Sequence, residues 1–142
     1  MVDHNLIAAK LAELADRVAR LRQHAKANVE DLKADRDALD LLSFNLMLSV
    51  QSCADIASHL IADEGWPVAV TLAQSFARLA EHAVITERTQ RALSRAVGLR
   101  NVVAHGYAGI DATMVHSASI HGVVDLDAFA KEIAAWLQGQ AK

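Results

Sequence analysis

The sequence predicts an all-α protein, and three observations lead to this prediction. Hydrophobic residues make up 53% of the chain and charged residues 22%, with alanine and leucine dominant. Proline occurs once and glycine six times, and clusters of aromatic and β-branched residues, which favour strands, are scarce. Apolar residues also recur at helical spacing. With 142 residues, we expect a single domain over residues 1–142, large enough to bury a hydrophobic core.

The first two of five predicted helical segments occupy the N-terminal half. Residues 3–25 carry leucine, isoleucine and valine at helical spacing between Leu6 and Leu21. The charged residues 28–40 are expected to form a solvated connection or a first turn. Residues 41–63 form the most apolar segment, which should be central and should end at Gly65, just before Trp66 and Pro67.

The later segments begin at residues that favour helix N-caps: Thr71, Thr86, and Asp125 or Asp127. The third segment should end near residue 82, and the fourth should run to about residue 105, where Gly106 and Gly109 end it. Residues 110–124 are ambiguous and are expected to form a short helix and a loop. The last segment carries Phe129 and Trp136.

Several classes of protein are disfavoured by composition. The single Cys53 has no disulfide partner, lies in an apolar stretch and is expected to be a buried, inert thiol. The N-terminal residues are too charged for a signal peptide, and polar residues interrupt the apolar stretch 41–62. We therefore expect a soluble, cytoplasmic protein without membrane contact.

The charge distribution is uneven. The formal net charge of −3 and the small number of aromatic residues do not predict a general RNA-binding surface. Between residues 86 and 108, however, four arginines stand against one acid, Glu87: Arg88, Arg91, Arg95 and Arg100. A local basic element is thus predicted within an acidic chain.

On a helical wheel, Arg100 stands apart from the other three arginines. At about 100° per residue, Arg88, Arg91 and Arg95 share one side, while Arg100 falls within the apolar face of the same segment. A guanidinium buried there needs a partner, because an unpaired buried charge is costly. The partner could be a carboxylate of this chain, which the wheel alone favours, a neighbouring subunit or a bound phosphate.

His105 follows Arg100 by five residues, so the two side chains point about 140° apart on an ideal helix. They could meet at one substrate atom if the helix ends at Gly106 and leaves His105 at a frayed terminus. Alternatively, a second copy of the chain could place its histidine opposite this arginine. Considered singly, a histidine at a helix end is explained by its favourable contact with the helix dipole.

A weaker signal comes from a polar stripe on the segment 41–63: Asn45, Ser49, Ser52, Asp55 and His59. Asp55 and His59 are four residues apart and could interact directly. The stripe could simply face solvent, which we favour, or it could line the cleft that contains Arg100. Paired cysteines, an HExxH sequence and a glycine-rich phosphate loop are all missing, so we predict neither a metal site nor a cofactor.

Together these residues resemble a known family. The segment VGLRNVVAHGY, Val97 to Tyr107, matches the R-x4-H-x-Y pattern of HEPN-domain proteins, in particular the HepT-like toxins. QSCADIASHLIADEGWP, Gln51 to Pro67, and FARLAEHAVI, Phe76 to Ile85, are similar to the upstream segments of that family. The likeness covers roughly residues 37–137.

The resemblance implies a four-to-five-helix bundle that forms a homodimer, in which two motifs face one cleft. It implies metal-independent RNA cleavage by Arg100 and His105, with Asn101 as a candidate supporting residue. The family pattern does not decide whether Asp55 or His59 contributes to the site. It also implies a cognate minimal nucleotidyltransferase antitoxin that silences the toxin by adding AMP to Tyr107.

Two other interpretations remain open. The same fold could be a non-catalytic helical partner of a minimal nucleotidyltransferase, binding a nucleotide or substrate without cutting it. The motif could also be a chance match in a helical interaction module. The −3 charge fits a non-catalytic partner, whereas a titratable histidine at the motif spacing favours the nuclease.

Overall fold

The computed structural model describes residues 2–105 and 110–140, and its described residues contain no β-strand. The all-α prediction is therefore confirmed. The helices in chain order are α1 (His4–His24), α2 (Val29–Lys33), α3 (Arg36–Glu64), α4 (Leu72–Glu81), α5 (Glu87–His105), α6 (Ala112–Ser117) and α7 (Val123–Gln140). A π-helical turn, Ala118–Gly122, joins α6 directly to α7.

Four long helices form the bundle. α3 packs against α1 and α5, and α7 closes the ring by packing against the same two helices. α4 covers the outside of α3 and α5, and α2 packs on α3 and α6. Phe76 on α4 meets Phe129 on α7 edge to face inside the core, with ring centroids 6.0 Å apart. This arrangement makes α3 the central helix, as predicted from its apolar sequence.

Most predicted helix ends are confirmed by their caps. Asp3 Oδ1 accepts a hydrogen bond from the Leu6 N–H (3.1 Å) at the start of α1. Thr71 Oγ1 accepts one from the Gln74 N–H (3.1 Å) at the start of α4. α3 ends at Gly65 with φ of 69°, a left-handed conformation that glycine adopts without steric cost.

The charged residues 28–40 are more ordered than predicted. Asn28 caps the short α2, and Leu32 anchors it in the core with no exposed surface. α3 begins at Arg36 rather than near residue 41, because Asp35 Oδ1 accepts a hydrogen bond from the Ala38 N–H at 3.0 Å. Buried Leu32 and the side-chain caps Asn28 and Asp35 thus stabilise α2 and the first turn of α3, where the composition indicates a solvated connection.

The predicted loop within residues 110–124 is wrong, as is the start of the last helix at Asp125 or Asp127. From Ala112 to Gln140 the chain is continuously helical. Val115, Ser119 and Val123 are buried at intervals of four residues, so one side of this stretch belongs to the core. That side includes a serine, which hides the apolar pattern from a reading of hydrophobicity alone.

Two further expectations can be compared with the structure. Cys53 is fully buried, as predicted, and burial raises the pKa of its thiol well above the ordinary value. None of the described helices is long and apolar enough to cross a membrane.

Candidate active site

Arg100 lies on α5 where this helix faces α3, and its side chain is half-buried. Its Nη2 donates a hydrogen bond to Gln51 Oε1 on α3 (3.1 Å), and its Nη1 donates one to Asn101 Oδ1 (3.1 Å). The Nε atom is buried and has no hydrogen-bond partner among the described residues. The guanidinium is therefore held in place by two neutral amide oxygens.

The carboxylate partner that the wheel favours is not found: within residues 2–105 and 110–140, Arg100 makes no ion pair. Neutral amides satisfy hydrogen bonds but do not neutralise the positive charge. A partly buried guanidinium in this state attracts anions more strongly than a fully hydrated one, because screening is weaker there. The arrangement is suited to binding a phosphate through the remaining N–H groups of Arg100.

A cleft of about 410 Å³ opens beside this guanidinium. Its wall combines Arg100 and Asn101 with the N-terminus of α4 and with Ser58 of α3. First-turn N–H groups of a helix lack partners within the helix and carry partial positive charge. The cleft therefore presents the positive charge of Arg100 to whatever enters it, beside the Thr71-capped N-terminus of α4.

His105 is the last residue of α5 and is exposed. Because α5 is helical from Glu87 through His105, the side chains of Arg100 and His105 leave it about 140° apart. In one chain, His105 lies closer to the side that carries the exposed Arg91 and Arg95 than to the half-buried Arg100. A single copy thus does not direct both side chains to one substrate atom.

The polar stripe of α3 neither faces solvent throughout nor lines the Arg100 cleft, so both expectations for it need correction. Asn45 and Ser49 are buried. Arg17 of α1 donates to Asn45 Oδ1 (3.2 Å), and the Ser49 hydroxyl donates to the Asn45 carbonyl (2.7 Å). These polar groups are buried because α1 covers that side of α3 and because each has a hydrogen-bond partner.

Asp55 and His59 lie on the same helix but do not interact directly, since no hydrogen bond or ion pair joins these two described residues. Asp55 lines a separate cleft of about 240 Å³ between α1 and α3. It accepts a hydrogen bond from Gln51 Nε2 at 3.2 Å. Asp55 therefore reaches Arg100 only through Gln51, and His59 does not line the Arg100 cleft.

Gln51 is the functional candidate that the sequence analysis did not identify. It precedes Asp55 by four residues on α3, a spacing that allows the two side chains to meet. Neither its residue type nor its position on the wheel indicates contact with α5.

Tyr107, together with Gly106, Ala108 and Gly109, lies outside the described residues. No group of three or more His, Cys, Asp or Glu side chains that could hold a metal ion occurs in the described part of the chain.

Comparisons with known proteins agree with the all-α fold and with the resemblance to the HepT-like family. A family model described as "Ribonuclease HepT-like" matches residues 14–133. The mRNA nuclease HepT of Shewanella oneidensis is 26% identical over 132 residues, which is 93% of this chain and 98% of that protein.

Solved structures of toxin–antitoxin complexes are also similar. One contains the tri-AMPylated Shewanella oneidensis HEPN toxin with the MNT antitoxin: its matching chain is 27% identical with a TM-score of 0.85, covering 95% of this chain and 99% of that one. Another is a toxin–antitoxin with AMP-PNP, at 26% identity and a TM-score of 0.85, covering 93% and 99%. The cytosolic protein YutE of Bacillus subtilis shares the fold alone, with 16% identity, a TM-score of 0.84 and coverage of 98% and 93%.

Proposed function

Because this chain belongs to the HepT-like ribonuclease family, we propose that it is a metal-independent endoribonuclease toxin that cleaves RNA with Arg100 and His105. The observation that carries the proposal is the unneutralised guanidinium of Arg100, held by Gln51 and Asn101 at the edge of an open cleft. A guanidinium in this state is available to the phosphate of an RNA backbone.

Cleavage without a metal requires a base for the 2′-hydroxyl, an acid for the leaving 5′-oxygen, and a group that stabilises negative charge on the scissile phosphate. The 2′-hydroxyl loses its proton and its oxygen attacks phosphorus, while the bond to the 5′-oxygen breaks and that oxygen gains a proton. Histidine suits both proton transfers, because its ordinary pKa lies near neutrality. Arg100 stabilises the extra negative charge on the phosphate oxygens in the transition state.

The active unit is a homodimer in this proposal. One chain directs Arg100 and His105 to different sides of α5, so a second copy supplies the histidine that faces the arginine of the first. The dimer then contains two such arginine–histidine pairs, each formed by one residue from each chain. The exposed Val102 on α5, between the two residues, is 39% accessible and is compatible with contact between the copies.

RNA would approach along the exposed arginines of α5. Arg88, Arg91 and Arg95 are exposed and lie on one side of the helix, each about one turn from the next. The only ion pair among the three in the described chain is a 3.8 Å contact between Arg91 and Glu87, both largely exposed. Such surface pairs contribute little, so these charges remain available to backbone phosphates.

Control is proposed to come from a cognate minimal nucleotidyltransferase. The phenolic oxygen of Tyr107 attacks the α-phosphorus of ATP, pyrophosphate leaves, and the phenolic proton passes to solvent. The AMP group would fill the cleft and offer its phosphate to Arg100, which blocks RNA by volume and by charge. The AMPylated toxin in the Shewanella oneidensis complex supports this part of the proposal.

Cleavage of labelled single-stranded RNA in the presence of EDTA tests the function. We expect the wild-type protein to remain active with chelator, and Arg100→Ala and His105→Ala each to lose about 100-fold or more. Arg20→Ala and His4→Ala, at exposed positions of α1, serve as matched controls and should remain active. Activity that disappears with EDTA, or that persists in either site variant, contradicts the proposal.

A further inference from the structure

Gln51 connects two charged residues that do not touch each other. Its Oε1 accepts a hydrogen bond from Arg100 Nη2 at 3.1 Å, and its Nε2 donates one to Asp55 Oδ1 at 3.2 Å. A guanidinium only donates hydrogen bonds and an ionised carboxylate only accepts them. The amide therefore has one orientation that satisfies both neighbours, since a flipped amide would oppose donor to donor and acceptor to acceptor.

The amide also keeps the charge of Arg100 available. A carboxylate in place of Gln51 would form an ion pair with the guanidinium and compete with any phosphate. The amide oxygen orients Arg100 without neutralising it. With one N–H of Nη2 bonded to Gln51 and one of Nη1 bonded to Asn101, one N–H on each terminal nitrogen is left for an anion.

We propose that Gln51 is a positioning residue for Arg100, and that Asp55 acts on the site only by fixing the orientation of the Gln51 amide. This inference rests on the proposed function, because the phosphate that Arg100 binds is taken to be that of RNA. It assigns Asp55 an indirect role: the carboxylate contributes its effect across Gln51 and does not contact the substrate.

Steady-state cleavage of single-stranded RNA of mixed sequence, labelled with a fluorophore and a quencher, separates the contributions. Gln51→Met keeps a similar length but removes both hydrogen bonds, so we expect kcat to fall about 10- to 100-fold with little change in KM, because Arg100 is no longer aligned. Gln51→Glu places a negative charge on Arg100, and we expect KM to rise about 10-fold or more. Gln23→Met, at an exposed position of α1, is the matched control.

A double-mutant cycle tests the role of Asp55. Asp55→Asn alone should lower kcat, because an amide at this position accepts or donates and no longer fixes one orientation of Gln51. Combined with Gln51→Met, the same change should have no further effect on kcat. Additive losses would overturn the indirect role of Asp55.

A measurement without RNA tests the positioning of Arg100 directly, in variants whose circular dichroism spectrum and urea midpoint match those of the wild-type protein. The Nε–H resonance of Arg100, identified by its loss in Arg100→Lys, should exchange slowly with water in the wild-type protein, because the Nε atom is buried. We expect exchange at least about 10-fold faster in Gln51→Met and in Gln51→Glu.

The outcomes separate the two proposals. If Arg100→Ala retains activity, the proposed function fails and Gln51 has no catalytic arginine to position. If Arg100→Ala is inactive while folded Gln51→Met matches wild type in kcat, KM and Nε–H exchange, only the positioning role is overturned.

Discussion

Glu132 on α7 accepts a hydrogen bond from the hydroxyl of Thr89 on α5 at 2.6 Å. This is one of two hydrogen bonds by which the Glu132 carboxylate caps the start of α5. The other carboxylate oxygen of Glu132 accepts a hydrogen bond from the Thr86 N–H, also at 2.6 Å. Thr86 Oγ1 in turn accepts one from the Thr89 N–H at 3.1 Å. A residue 43 positions away in sequence thus anchors the start of the helix that carries Arg100 and His105.

Removing this cap should destabilise the protein. Glu132→Ala leaves the Thr86 N–H and the Thr89 hydroxyl without their charged acceptor, and we expect a loss of about 1–3 kcal/mol in the free energy of unfolding. Urea denaturation followed by circular dichroism measures it. Lys131→Ala, one residue away and exposed, is the control and should stay within about 0.5 kcal/mol of wild type. Equal midpoints for the two variants would show that the cap contributes nothing.

The stability contributed by Asp35 should depend on pH. Its carboxylate caps α3 at the Ala38 N–H and pairs with Lys26 Nζ at 3.2 Å. The hydrogen bond from Ala38, followed by the contact with Lys26, lowers the pKa of Asp35 in the folded state. Because the pKa of Asp35 is lower in the folded than in the unfolded chain, its carboxylate stabilises the folded protein when the pH lies above its unfolded pKa. This contribution is lost as the pH falls through its folded pKa.

We therefore expect Asp35→Ala to be less stable than wild type at neutral pH, with the difference shrinking below about pH 4. Thermal unfolding across a pH series measures it, and Asp16→Ala, on the exposed side of α1, is the control. A difference that stays constant with pH would contradict the electrostatic origin of the effect.

Active sites that combine residues of two copies should be restored by mixing inactive chains. Co-expressed Arg100→Ala and His105→Ala chains form mixed dimers with one intact arginine–histidine pair, so random pairing predicts about a quarter of wild-type activity. Differently tagged chains allow the mixed dimer to be purified and assayed for RNA cleavage. An inactive mixed dimer would indicate that each site uses the arginine and histidine of a single chain.

The exposed arginines of α5 should determine the salt dependence of RNA binding. Changing Arg88, Arg91 and Arg95 to glutamine removes three phosphate contacts. We expect the slope of log affinity against log salt for single-stranded RNA to decrease by about 2. Fluorescence anisotropy with an inactive His105→Ala background measures binding without cleavage. The control is the corresponding triple change to glutamine of Arg20, Lys33 and Arg36, which are exposed elsewhere on the protein. An equal change of slope in the control would show that RNA does not bind specifically along the arginines of α5.

Modification should map to one hydroxyl. Co-expression with the cognate nucleotidyltransferase should raise the intact mass by one or more AMP units located on Tyr107, and RNA cleavage should fall. Tyr107→Phe should keep much of its cleavage activity, because Arg100 and His105 remain, but it should escape silencing. Mass spectrometry locates the AMP group, and an RNA cleavage assay measures the silencing of the wild-type protein and of Tyr107→Phe. A phenylalanine variant that is still silenced by the catalysis of its partner would show that control uses another residue.

The sequence by itself determined the all-α fold and most helix ends, because these depend on residues close together in the chain. Apolar spacing locates α1 and α3, and Asp3, Thr71 and Gly65 mark ends through side-chain caps or a left-handed backbone. Local patterns were misleading where one buried residue anchors a charged helix, as Leu32 does in α2. They also failed where a buried serine, Ser119, interrupts the apolar side of a helix.

Only the tertiary structure decided which groups meet. The wheel places Arg100 on the apolar face of α5 but does not identify the residue of α3 that it contacts, which is the neutral Gln51. The same applies to Asn45: the sequence pattern favours a solvent-exposed position, but the structure buries it against Arg17 of α1. Helical periodicity is set within each segment by the backbone, whereas partners on different helices depend on the packing of the whole bundle.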